Sequence, residues 1–239
     1  MPIESGPPLP RPYPSDRTPD VARLERWLPP LLSVVAGMVD VIGYIRLKLF
    51  TAHVTGNLVV IAALLVRGGP PKMGPILAVP VFILAVAAVW LIAKSSERRG
   101  PALARPLLLL QFLLLACVLI FSVTYDRSAN PDGLMAGITA MIAVSAMACQ
   151  FVLLRLALPV APSTAVMTGN LTNTVLSLLD TLWRHEPLLD GANERLKRTS
   201  RLLVGFFAGC VAGAAAVSFL GEWAWSLPVV LAGASVALR

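Results

Sequence analysis

Few residues in this chain are of a type to do chemistry, and the strongest candidates sit inside apolar runs. Asp40 is the one acid well within an apolar segment of helix length. A carboxylate at bilayer depth costs a few kcal/mol on insertion scales, so it usually faces a bundle interior or a wet cavity. Helical spacing sets Ala36, Gly37, Gly43, Tyr44 and Leu47 beside it. The small residues allow another helix to pack closely, and Tyr44 at i+4 is placed to donate a hydrogen bond. Asp40 therefore has two readings. It is either a proton- or cation-responsive carboxylate, or an acid that fixes packing through a polar neighbour.

The other candidates belong to a repeated motif. Thr51-Ala52-His53-Val54-Thr55-Gly56-Asn57-Leu58 returns as Thr164-Ala165-Val166-Met167-Thr168-Gly169-Asn170-Leu171, with six of the eight positions identical. Thr is a good N-cap, Gly permits close backbone approach, and Asn offers both a donor and an acceptor. A helix that starts or breaks there inside a membrane presents free N–H groups and a positive dipole end. Many transporters build midplane sites from such discontinuous helices. Thr51, Thr55, Gly56 and Asn57, with Thr164, Thr168, Gly169 and Asn170, are thus candidates to line a pathway for a small solute or ion. The alternative is that these small polar residues serve only to hold helices together.

The two copies are not equivalent. His53, either incidental at a membrane interface or a group that changes charge near neutral pH, has Val166 as its counterpart. Gln150 precedes the second motif as Asp40 precedes the first, provided three residues are inserted in the proline-bearing loop at Pro159 and Pro162. An amide cannot titrate, so any proton chemistry belongs to the first half.

Composition sets the surroundings. The chain is 56% hydrophobic and only 14% charged, with mean hydropathy +0.76, whereas soluble domains run near a quarter charged. Its 239 residues suit six to eight membrane crossings, at about 20 residues each. The net charge of +7 lies between apolar runs rather than on a basic face with interleaved aromatics, so nucleic acid is not an expected partner. Cys117, Cys149 and Cys210 read as small buried hydrophobes. No metal-ligand cluster, phosphate loop or nucleophile motif is present, so neither an enzyme nor a cofactor is expected.

Along the chain, residues 1–26 are polar and Pro-rich and read as a disordered tail without a cleaved signal. Two membrane halves follow, residues 27–125 and 133–239. The first has apolar segments at about 27–47, 50–66, 75–93 and 106–123. The second has them at about 133–156, 163–179, 202–220 and 225–238, with a long polar loop at 180–201. Trp183, Trp223 and Trp225 fall where interfacial aromatics are expected. Gly205, Gly209 and Gly213 form consecutive GxxxG steps, a packing seam within the monomer or between copies in a homo-oligomer.

If all eight segments span, the halves are parallel repeats; if the motif segments dip in and return, six cross and the repeats are inverted. The excess of Lys and Arg on the cytoplasmic side is larger for six crossings. The length of the motif segments favours eight. Both arrangements place the N-terminus in the cytoplasm.

The residues Ala36-Gly37-x-x-Asp40, the run Phe50 to Asn57, and Gln150 followed by Thr168-Gly169-Asn170 resemble the YoaK-like membrane proteins. That bacterial family is catalogued as domain of unknown function 1275. The likeness covers about residues 28–238, and Ala148-Cys149-Gln150 departs from a glycine often found before the Gln. The resemblance implies an all-α bundle in the bacterial cytoplasmic membrane and brings no substrate with it. The functional expectation is a small transporter or channel with a pseudo-symmetric site at the two motifs. The competing expectation is a non-transporting membrane scaffold or accessory subunit.

Overall fold

A computed structural model describes residues 19–67, 73–96, 100–125, 133–159, 161–183 and 190–237. The Pro-rich stretch through residue 18, and the glycine-proline stop after Arg67, lie outside the described residues. All regular structure among the described residues is helical. The helices are α1 (Pro19–Leu47), α2 (Gly56–Arg67), α3 (Met73–Ser95), α4 (Ala104–Thr124), α5 (Leu134–Ala157), α6 (Met167–Trp183), α7 (Asp190–Leu220) and α8 (Ser226–Ala237). Short 3₁₀ turns, Gly100–Leu103 and Gly221–Trp225, lead into α4 and α8.

Five helical stretches are long and apolar enough to cross a bilayer: 22–47, 73–95, 100–124, 134–157 and 193–237, the last including both α7 and α8. Exposed side chains such as Ile83, Leu84, Leu91 and Phe207 suit contact with lipid tails. α2 differs from its expected length because residues 50–55 are not helical. Its 12 residues span about 18 Å, well short of a hydrocarbon core of about 30 Å.

Other boundaries also move. α1 starts at Pro19 rather than Trp27, which replaces the end of the expected tail with helix. The cause is an apolar stripe, because Leu24, Leu28 and Leu32 join a cluster with Leu103, Leu107 and Leu153. Much of the expected polar loop at 180–201 is helical as well. Glu194 faces Lys197 and Arg198 at 3.9 and 4.0 Å, helical spacings that favour continuing α7. Trp183 and Trp223 are exposed, whereas Trp225, expected at an interface, is fully buried among α1, α4 and α5 residues. The cysteines are free; Cys149 is buried and donates to Leu107 O at 3.2 Å, whereas Cys117 is exposed.

Helix directions follow from side-chain neighbours. α7 runs parallel to α1, since Gly205, Gly209 and Gly213 lie against Pro30, Val34 and Met38 in turn. α5 runs antiparallel to α1: Leu28 and Leu32 cluster with Val152, Leu153 and Ala157, while Val39 and Ile42 cluster with Ala143 and Met147. α3 is parallel to α5, with Ala78 near Val144, Phe82 against Phe151, and Val89 beside the end of α5. α4 packs antiparallel to both α5 and α8. On one face, Arg46 at the end of α1 meets Glu222 at 2.9 Å, and Ser122 of α4 donates to the same carboxylate at 3.0 Å.

The glycine steps of α7 are used within the chain. A Cβ at Gly209 would collide with the Val34 carbonyl, and one at Gly37 with the Phe206 carbonyl. These glycines let the α1 and α7 backbones touch. That face of α7 is covered by α1, so a homo-oligomer needs another surface. Gly209→Leu should lower stability by about 1–3 kcal/mol, measured by denaturant titration in micelles. Gly137→Ala in α5, where an added Cβ meets nothing within 4 Å, should be neutral or stabilise by up to about 1 kcal/mol. Equal effects of the two would contradict the tight α1–α7 contact.

Candidate functional site

The chain turns back on itself after α1. Lys48 takes a left-handed conformation with φ 59°, and residues 49–55 fold down beside the helix they have just left. Asp40, only 5% exposed, lies about 10 Å along α1 from its end. Its Oδ1 accepts the amides of Thr51, Ala52 and His53 at 2.9, 2.7 and 3.3 Å. Its Oδ2 faces His53 Nδ1 at 2.5 Å. The Thr51 hydroxyl donates to Val39 O at 3.0 Å. Backbone amides that cannot reach water need an acceptor, and one carboxylate oxygen supplies it for three of them.

The close approach requires Gly43, where a Cβ would come within 2.9 Å of the Thr51 methyl and 3.3 Å of Leu49 O. Tyr44 does not donate to Asp40 as its i+4 position suggested. Its ring stacks on Phe50 at 4.9 Å between centroids. Phe50 is held from the other side by Asn57, whose Oδ1 accepts the Phe50 amide at 2.9 Å and whose Nδ2 donates to Phe50 O at 2.8 Å. Both polar ends of Asn57 are thus engaged by one residue. The amides of Gly56, Asn57 and Leu58 bond back to His53, Val54 and Thr55 carbonyls at 2.8, 3.0 and 3.1 Å. The start of α2 therefore does not present the free N–H groups expected from its motif.

The second motif is placed in a related way. Gln150, fully buried, lies about 10 Å from the end of α5. Its Nε2 reaches Thr164 Oγ1 at 3.2 Å and Leu32 O at 3.0 Å. Its Oε1 accepts from Gln111 of α4 at 2.7 Å. Asn170 Nδ2 donates to Ser163 O at 2.8 Å, seven residues back, the same separation as Asn57 and Phe50. Thr55 and Thr168 are both exposed on the outside of their segments, and Gly56 and Gly169 are half-buried.

Asp40, Thr51, His53 and Asn57 thus form one cluster, and Gln150, Thr164 and Asn170 another. The clusters do not merge. Gln150 meets α1 at Leu32, about 12 Å along the helix from Asp40, and buried Val35, Ala36 and Val39 lie between. Four polar side-chain atoms remain buried without a partner among the described residues, and two of them, His53 Nε2 and Gln111 Oε1, belong to these clusters. His53 Nε2 belongs to a ring set edge-on to Phe206 at 5.1 Å. Sequence reasoning missed Gln111, although it is the lone amide in the apolar run of α4. It also missed Phe50 and Ser163, whose bonds to the two asparagines run through backbone atoms and leave no side-chain signal.

The family model described as a protein of unknown function, DUF1275, matches residues 28–238. The chain belongs to that family. No curated protein and no solved structure matches it.

The geometry ranks the motif residues. Asn57→Ala strips partners from both the N–H and C=O of Phe50 and should cost about 1–3 kcal/mol. Asn170→Ala removes the bond to Ser163 O and should cost less, about 1 kcal/mol. Asp40→Asn keeps an acceptor but loses the charge, and should cost about 1.5–3 kcal/mol. Chemical unfolding in micelles measures all three; an Asn170→Ala loss larger than that of Asn57→Ala would refute the ranking.

Proposed function

We propose that the protein is a small-solute or ion transporter or channel of the bacterial cytoplasmic membrane, built from two inverted halves with its N-terminus in the cytoplasm. In this reading α1, α3, α4, α5 and α7 cross, α8 crosses together with the 3₁₀ turn that leads into it, Gly221–Trp225, and α2 and α6 enter and return. The observation that carries it is the packing pattern. Exchanging α1 with α5, α2 with α6, α3 with α7 and α4 with α8 turns each principal helix pair into another. The α1–α7 pair becomes α5–α3, α4–α5 becomes α8–α1, and α2–α3 becomes α6–α7. The α4–α8 and α1–α5 pairs map onto themselves. Because α1 and α5 are antiparallel, the related halves are inverted, an arrangement common among secondary transporters. The charge asymmetry of the connecting segments supports the same orientation.

The motif residues then act as latches rather than as ligands. Asp40 and Asn57 hold one re-entrant loop, and Gln150 and Asn170 hold the other. Movement of either loop opens the cluster beneath it from one side of the membrane. The Asp40–His53 pair is the proton-responsive element, and the neutral Gln150 confines that role to the first half. A second reading, a non-transporting scaffold, is favoured by the apolar layer between the clusters and by the full engagement of Asn57.

Reconstitution separates the readings. Proteoliposomes carrying an internal pH dye are challenged with a panel of small solutes and ions. Transport predicts solute-dependent proton movement with the wild-type protein, reduced at least about tenfold in His53→Gln, a change of about 1.4 kcal/mol in the coupling step. Thermal stability of that variant should change little. No solute-dependent flux of any kind across the panel would overturn the transporter reading.

A further inference from the structure

One cavity among the described residues has no part in the motif clusters. A groove of about 1330 Å³ lies between α1, α7 and α8 at the end where α1 and α7 begin. Its floor is apolar, with Leu31 and Val34 from α1 and Val204 and Gly205 from α7. Arg23 and Arg201 stand at its polar end, and no carboxylate pairs with either among the described residues. Across Pro30 and Arg201, which line both spaces, the groove adjoins a basin of about 320 Å³. There Arg26, Lys197 and Arg198 outnumber Glu25 and Glu194.

We propose that this groove and basin bind one anionic phospholipid of the adjacent leaflet. Acyl chains lie on the apolar floor, and the phosphate is held between Arg23 and Arg201. Three observations select this occupant. The groove exceeds the roughly 300–1,000 Å³ of ordinary small-molecule pockets, as a two-chain lipid requires. Its floor is continuous with the flank of the bundle, where Val204 and Phe207 are exposed. The cations collect at one end, at the level where the first turns of α7 become charged, which is where a headgroup sits. Basic pockets between membrane helices are known to recognise anionic headgroups in this manner. The inference requires only that the helices lie in a bilayer, and it stands apart from transport. Arg fits the phosphate better than Lys, because its planar fork can donate two parallel hydrogen bonds.

Native mass spectrometry of the full chain, released from micelles doped with phosphatidylglycerol or phosphatidylcholine, tests the proposal. One phosphatidylglycerol should stay bound at least about tenfold more tightly than phosphatidylcholine, the size expected for two arginines near a headgroup. Arg23→Gln with Arg201→Gln should abolish that preference, and Arg201→Lys should retain part of it. Val204→Trp, which fills the exposed edge of the groove, should weaken both lipids. Equal retention of the two lipids by the wild-type protein would mean an unselective annulus and would overturn the proposal, whether or not a variant folds. Glycerol phosphate that competes as well as the intact lipid would overturn it too, by assigning the basin to a free phosphate. So would a folded double Gln variant with its preference intact.

Discussion

One oxygen of Asp40 gathers the amides of Thr51, Ala52 and His53, and the course of the first half follows from that bond set. A chain that leaves a helix inside a membrane exposes amides that lipid cannot satisfy. Residues 49–55 fold against α1 because that helix supplies the acceptor. Gly43 lets them come close enough to reach it, and Asn57 closes the turn by holding Phe50 at both backbone atoms. Only then is the geometry set for α2 to begin at Gly56. The second loop is held by neutral groups acting as donors instead, Gln150 to the Thr164 hydroxyl and Asn170 to the Ser163 carbonyl, with Gln111 donating to Gln150. A carboxylate collecting amides forms stronger bonds than an amide does, so the first loop is the more tightly held and the more sensitive to charge.

α1 links these loops to the rest of the bundle. It carries Asp40 directly, receives Gln150 at the Leu32 carbonyl, and lies against α7 through glycines on both helices. A shift of α1 along α7 would strain both loop anchors, because the backbone contact at Gly37 and Gly209 leaves no room for independent sliding. The buried Val35, Ala36 and Val39 between the two clusters make the centre of the bundle dry.

Much of this was legible from residue types alone. Long apolar runs marked the crossing helices, and the lone acid in one of them marked the first anchor. The doubled Thr-Gly-Asn lies at both helix starts, α2 beginning at Gly56 and α6 at Met167, although the apolar segments were expected to begin at about 50 and 163. Other features were hidden for physical reasons. Asn57 and Asn170 looked like ligands because a sequence displays their donors and acceptors but not the carbonyls of Phe50 and Ser163 that use them. Tyr44 had the right helical spacing to reach Asp40, yet an aromatic neighbour offered a better contact. The length of α2 was overstated because Phe50, Ala52 and Val54 continue the hydrophobic run without being helical. The groove proposed for a lipid depends on Arg23 and Arg201, which lie far apart in the chain and are brought together by the parallel packing of α1 and α7.

The central claim is that α2 starts and ends on one side of the membrane and α6 on the other. Single cysteines at Lys48, Arg67, Thr181 and Arg195, in a background with Cys117, Cys149 and Cys210 replaced by alanine, test it by labelling with an impermeant maleimide in oriented vesicles. Lys48 and Arg67 should react from the same side, and Thr181 and Arg195 from the opposite side. Labelling of Lys48 and Arg67 from opposite sides would make α2 a crossing and would contradict the inverted arrangement.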